Sequence, residues 1–255
     1  MRIINFIEGD SYLHRMNPVF KAISLFFVML SVILSDFWLY PLLIFFLAII
    51  LIFSAGVSFV AVRKLIKWLF IFMVAIVILN YLFYQPGGFK PQRVIVCSPE
   101  GLIRGLLIGL RIFAVVFLSA VFVFTTDPTD FVNAMMQNLH LSPRVGFSIL
   151  VALRSIPLFE LDLERIRAAH RVRQFKPAGG LMSRLKFSAL SVALPLFVLA
   201  IIRAERAAIA MASRGLRRGI QRTYLRRWRV RLIDWIFFAV SVILLTLSIF
   251  VAIHF

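Results

Sequence analysis

Residues 142–216 open as Ser142-Pro143-Arg144-Val145-Gly146-Phe147. They pass through Arg165-Ile166-Arg167-Ala168-Ala169-His170-Arg171-Val172-Arg173-Gln174 and close on Met211-Ala212-Ser213-Arg214-Gly215-Leu216. The stretch is too basic for plain membrane spans and too apolar for an ordinary soluble helix pair. Its breakers divide it. Ser142-Pro143 starts a long helix, because proline suits a first helical turn, and Pro157 is placed to bend it. Pro177-Ala178-Gly179-Gly180 stops that helix near Phe175. A further helix is expected from about Met182 to Arg214, with Pro195 as a bend and Gly215 as the C-terminal cap. Just upstream, Asp127-Pro128-Thr129-Asp130 opens a short amphipathic helix to about Leu139.

Long apolar runs flank this insert. The 255-residue chain is 62% hydrophobic and contains 27 Phe, with a mean hydropathy of +0.96. A soluble domain of this length has no use for so much apolar surface, so the chain reads as an all-α integral membrane protein. Four spans are expected before the insert, at about 22–34, 39–53, 68–83 and 102–124, and a fifth after it at about 232–255. The domains are then 1–126, 127–231 and 232–255. Asp36 marks the first turn, Arg63, Lys64 and Lys67 form a basic loop, and residues 85–100 form a loop with a short strand at Val94–Val96. No internal repeat of fixed period is evident.

Charge orients the spans. Residues 127–231 hold 19 of the 29 Lys and Arg residues. Arg2, Arg15 and Lys21 precede the first span, whereas only Lys90 and Arg93 lie in the 85–101 loop. By the positive-inside rule the N-terminus, the 60–67 loop and the insert are cytoplasmic, and the C-terminus is outside. The same rule accounts for much of the net charge of +18 without nucleic acid. The run Arg226-Arg227-Trp228-Arg229-Val230-Arg231 reads as a charge anchor for the last span, with anionic-lipid binding as a second use. The residues before the first span, including Glu8, Asp10 and His14, lack the build of a cleaved signal peptide.

No catalytic constellation emerges. No Gly precedes a Lys, so there is no phosphate-cradling Walker A loop. His14, His140, His170 and His254 are scattered without metal-ligand spacing, and Ser148 lacks a nucleophile-elbow context. Cys97 is the single cysteine, which excludes an intrachain disulfide.

Several residues stand out nonetheless. Arg173 and Arg214 each end a helix of the insert, beside a break that exposes the helix end. A cation in a last helical turn is favoured by the macrodipole by about 0.3–1 kcal/mol, which is one account of each. Their duplication gives the other: two charged forks suited to two acidic grooves on a partner. Gly101, Gly105 and Gly109 form a small-residue series at the start of span four, serving internal packing or a partner subunit. Ala204, Ala207 and Ala208 give the last helix of the insert a similar surface. Arg111 lies within span four, and an intramembrane arginine is a functional candidate. It is satisfied inside the bundle, reaches an interface, or lines a substrate path. In the last case the chain would be a stand-alone carrier.

Ser11-x-Leu13-His14-Arg15-Met16-Asn17-Pro18 with Lys21, the central segment from Thr125-Thr126 through Ile156-Pro157 to Glu164 and Ala169, and the pair Val172-Arg173-Gln174 and Ser213-Arg214-Gly215 carry a resemblance. Together they resemble the transmembrane T component of energy-coupling factor (ECF) transporters, the group of CbiQ- and BioN-type proteins. The first signature departs from the group's Ala-Arg-Gly-like pattern, with Val for Ala and Gln for Gly or Ser, while its arginine is retained. The resemblance implies a non-catalytic scaffold that binds no cofactor itself. Two ABC-type ATPase subunits, which carry ATP-Mg, would dock on the two arginine signatures. Their motion would reorient a small substrate-binding membrane subunit for vitamin or transition-metal uptake. Membrane lipids are the remaining partner, and nucleic acid is not one.

Overall fold

The computed structural model describes residues 11–35, 37–57, 59–84, 99–173, 181–216, 223–224, 227–228 and 230–254. Asp36, Lys90, Arg93, the strand expected at Val94–Val96, Cys97, Gln174, Phe175, the 177–180 breaker, Arg226 and Arg229 lie outside them. The described helices are α1 (Tyr12–Arg15), α2 (Pro18–Leu34), α3 (Leu39–Ser54), α4 (Phe59–Phe83), α5 (Pro99–Thr125), α6 (Pro128–Asn138), α7 (Pro143–Val172), α8 (Leu181–Ser213) and α9 (Leu232–His254). They fall into two compact units. One is Pro128–Arg227; the other is Arg2–Asp127 together with Trp228–Phe255.

The larger unit is a bundle in which α2 and α5 pack together; α9 lies against α2, α4 against α5, and α3 against both. Three helices are long and apolar enough to cross a membrane: α5, α9 and the Ile66–Phe83 part of α4. α2 and α3 are equally apolar but only 17 and 16 residues long. Large side chains on the outer face of α4, including Trp68, Phe70, Ile71 and Phe72, are exposed. The inner faces supply the core: Leu25, Val28 and Val32 of α2 meet Ile44, Ala48 and Ile52 of α3 and Phe113, Phe117 and Val121 of α5. The Phe45 ring sits edge-on to Phe117 with centroids 5.0 Å apart, a favoured aromatic geometry.

One expectation is corrected here. Arg63, Lys64 and Lys67 are not a loop; they occupy the early turns of α4, which begins at Phe59. Arginine and lysine are good helix formers, and nothing in that run breaks a helix. Arg63 and Lys67 project from it exposed.

Two cations, one buried and one half-buried, set the register of the α2–α5 pair. Lys21, 1% exposed, donates to the carbonyls of Leu13 (2.8 Å) and Thr125 (3.0 Å) and to Thr125 Oγ1 (3.0 Å). An ammonium has three protons to give, and all three are accepted. Thr125 Oγ1 in turn donates to Val121 O at 2.6 Å. Fourteen residues further along α2 and fourteen back along α5, the half-buried Arg111 donates to the Ser35 carbonyl that follows α2. The two helices are therefore antiparallel and pinned at points about 21 Å apart.

The Lys21 site extends to the start of α9. Asn17 caps α2 through Oδ1, which accepts from Val19 N at 3.1 Å, while its own backbone N–H donates to Asp234 Oδ1 at 3.1 Å. Asp234 Oδ2 accepts from Arg231 N at 2.8 Å, closing the first turn of α9. Asn17 Nδ2 adds a longer contact to the Trp228 carbonyl at 3.4 Å. One polar knot thus joins the last residue of α5 to the segment that leads into α9. It ties together the two points where the chain leaves this bundle and returns to it.

Gly105 and Gly109 of the α5 glycine series face α4. A Cβ at Gly105 would stand 2.9 Å from Val77 Cα and 3.1 Å from Asn80 Cβ, and one at Gly109 would stand 2.8 Å from Met73 Cγ. The first neighbour is backbone and cannot give way; the second is a flexible side chain. Gly105→Ala is therefore expected to cost about 2 kcal/mol of stability and Gly109→Ala clearly less. Thermal unfolding of the two variants in detergent checks the order; equal midpoints would contradict it.

Candidate functional site: the long helix pair

The smaller unit contains α6, α7 and α8, with α7 packed against both neighbours. α6 and α7 approach closely at Gly146, where a Cβ would stand 2.1 Å from Met136 Sδ. α7 begins with Ser142 outside the helix and Pro143 in its first turn. It runs unbroken past Pro157 for 30 residues, and α8 runs past Pro195 for 33. Two polar contacts join them. Arg203 Nη2 donates to Asp162 Oδ2 at 2.6 Å, and His170 Nε2 lies 3.2 Å from the Ser191 carbonyl. Moving up α7 from 162 to 170 means moving down α8 from 203 to 191, so the pair is antiparallel.

Both signature arginines are C-cap residues. Arg173 follows α7 with its N–H on the Ala169 carbonyl at 3.1 Å. Arg214 follows α8 with its N–H on the Ala210 carbonyl at 3.3 Å. Beyond it Gly215 takes φ +77, its N–H reaches Ala212 O at 3.0 Å, and Leu216 N–H reaches Met211 O at 3.0 Å. That pattern is a Schellman cap, and the left-handed φ is why glycine stands there. Ser213 Oγ turns back to Ala210 O at 3.0 Å. Arg173, Arg214, Val172 and Ser213 are all exposed, so two charged forks project from the ends of two antiparallel helices. Ala204 and Ala208 are exposed and Ala207 is half-buried. The polar joint between α7 and α8 runs through Arg203, not through the alanines.

Asp162 and Arg203 do not stand out in the sequence, yet their ion pair forms the charged joint between α7 and α8. A short recurrence could have revealed them. Glu164-Arg165 and Glu205-Arg206 each stand two and three residues beyond the joint, and Arg173 and Arg214 each stand eleven beyond it. A search for long-period repeats does not register so brief a match. The intramembrane candidate Arg111 belongs to the other unit, where it meets Ser35 as described. Among the described residues no group of three or more His, Cys, Asp or Glu is placed to hold a metal ion.

Comparison with known proteins gives this arrangement a family. The family model CbiQ, described as cobalt transport protein, matches residues 9–225. The energy-coupling factor transporter transmembrane protein EcfT of Macrococcus caseolyticus is 27% identical over 240 residues, covering 90% of this chain and 88% of that protein. The EcfT protein of Listeria innocua is 28% identical over 235 residues, covering 88% of each. That of Lactococcus lactis subsp. cremoris is 29% identical over 258 residues, covering 95% and 94%. The family match spans most of the chain, from the Asn17–Lys21 knot through both arginine caps: the chain belongs to the CbiQ family of non-catalytic, multi-pass transmembrane components of energy-coupling factor transporters.

Proposed function

We propose that this chain is the energy-coupling scaffold of an ECF-type importer. It passes the ATP-driven motion of two ABC-type ATPase subunits to a small substrate-binding membrane subunit, for uptake of a vitamin or a transition metal. The observation that carries the reading is the pair of exposed arginine C-caps at the ends of α7 and α8. A planar guanidinium on a rigid helix end suits a carboxylate in a partner's groove, through paired charge-assisted hydrogen bonds. Val172-Arg173-Gln174 and Ser213-Arg214-Gly215 are the ATPase-coupling segments, and ATP-Mg belongs to the ATPases. The spans are α2, α3, α4, α5 and α9. The N-terminus and residues 127–231 are cytoplasmic, and the C-terminus is outside.

The competing carrier reading needs Arg111 beside a solute path. Its hydrogen bond to Ser35 O inside the bundle speaks for a packing role instead. Liposomes separate the two readings. The purified chain alone is expected to move neither vitamins nor Co²⁺ or Ni²⁺, whereas co-reconstitution with the ATPase and substrate-binding subunits from the same cell gives ATP-dependent uptake. Uptake by the chain alone would overturn the proposal.

A further inference from the structure

Of the three long apolar helices, α4 has the least protein around it. No side chain from Ile66 to Phe83 is buried, and α5 is its chief neighbour. Val62 is buried and Leu69 and Met73 pack against the core, which defines the inner side of the helix. At 3.6 residues per turn, Arg63, Lys67, Phe70, Val74 and Ile78 share a second side, about a third of a turn away. All five are exposed. Trp68, beside Lys67, is 67% exposed.

The head of this stripe is charged and its body is apolar. Arg63 and Lys67 stand four residues apart on one helix, a spacing at which like charges repel. Neither has a hydrogen-bond or ion-pair partner among the described residues. Lys21 and Arg111, by contrast, are held by carbonyls of the chain itself. The α4 pair therefore lacks the anion that would offset its repulsion. From Lys67 to Ile78 is eleven residues, about 16 Å of helix, which matches one leaflet of a hydrocarbon core about 30 Å thick. Tryptophan favours the headgroup level of a bilayer, and Trp68 puts that level at the charged end of the stripe. An occupant thus needs an anionic end and an apolar body one leaflet deep. A soluble acidic partner offers only the first; a diacyl phospholipid with an anionic headgroup offers both.

We propose that the Arg63–Lys67–Trp68 end of α4 is a binding site for an anionic phospholipid, whose phosphate bridges the two cations while an acyl chain lies along Phe70, Val74 and Ile78. The site requires α4 to cross the membrane and does not depend on what the chain couples. A lipid held there removes the repulsion between the cations and fixes the depth of a helix that few side chains anchor.

The test measures lipid retained by the full chain in detergent, by native mass spectrometry, with phosphatidylglycerol or phosphatidylcholine of identical acyl chains added. Wild type is expected to hold its tightest phosphatidylglycerol at least about tenfold more strongly than phosphatidylcholine. Arg63→Gln and Lys67→Gln should each weaken that retention about fivefold, and the pair about 25-fold, with phosphatidylcholine unchanged. Arg227→Gln, which removes a charge from the basic run before α9, should leave it at the wild-type level. Both target side chains are exposed, so their loss leaves the packing of α4 intact. Equal retention of the two lipids by wild type, or phosphatidylglycerol held by the double variant as by wild type, would overturn the site. A phosphatidylglycerol with a photoreactive group in its acyl chain gives a second readout on the unaltered chain. Labelling within residues 68–83 is the expected result, and labelling confined to other helices would contradict it. In the assembled transporter, a Val74→Cys label in a Cys97→Ser background that cross-links to a membrane subunit, with the lipid lost, would make the stripe a protein seat and sink the lipid assignment.

Discussion

Arg173→Ala combined with Arg214→Ala is expected to abolish measurable capture of the ATPase subunits and, with it, ATP-driven uptake. Each arginine projects from a helix terminus without burial, so its removal leaves the fold of α7 and α8 intact. A charge-assisted hydrogen-bonded contact is worth about 1.5–3 kcal/mol, so each single variant should weaken binding roughly tenfold to a hundredfold. The two tips end different helices, and among the described residues they share no hydrogen-bond or ion-pair partner, so their effects should multiply. Arg→Lys at either tip keeps the charge but loses the planar fork, and should fall between wild type and alanine. Titrating detergent-solubilised variants with the purified ATPases gives the affinities; double-variant binding equal to wild type would remove the arginines from the interface.

Lys21→Met should be the most destabilising single substitution in the membrane unit. The change removes one donor from three acceptors, Leu13 O, Thr125 O and Thr125 Oγ1, in a site with 1% exposure. Stranded buried acceptors and a lost charged hydrogen bond together should cost about 3 kcal/mol. The defect should not stay local, because the Leu13–Lys21 segment also holds Asp234 and Trp228 through Asn17. Lys21→Arg is no remedy, since a planar guanidinium does not match acceptors arranged for an ammonium. A thermal unfolding midpoint close to wild type for Lys21→Met would show that the knot is dispensable.

How much of this was legible in the sequence depends on the range of the signal. Pro18, Pro128 and Pro143 mark helix starts, Gly215 marks a helix end, and continuous apolar runs mark the membrane helices. All of these are local. Arg63–Lys67 reads as a loop because charge between apolar runs resembles a turn, although no residue there prevents a helix. In sequence Lys21 reads as a topogenic charge and as part of the opening motif. Its partners lie 104 residues away at Thr125 and eight away at Leu13, and two of its three acceptors are backbone carbonyls, which leave no mark on residue type. The same holds for Arg111 and the Ser35 carbonyl. Asp162 and Arg203, 41 residues apart, look in sequence like two more charges on basic helices; only the antiparallel pairing makes one the buried partner of the other. The arginine caps could be located because a helix stop is a local event.

On the proposed function, one chain couples two ATPases through two separate tips. Native mass spectrometry of the nucleotide-free complex decides this by counting ATPase subunits bound per chain. Two on the wild type, one on either Arg173→Ala or Arg214→Ala, and none on the double variant is the predicted series. Two ATPases retained on the double variant, or none on the wild type, would contradict it.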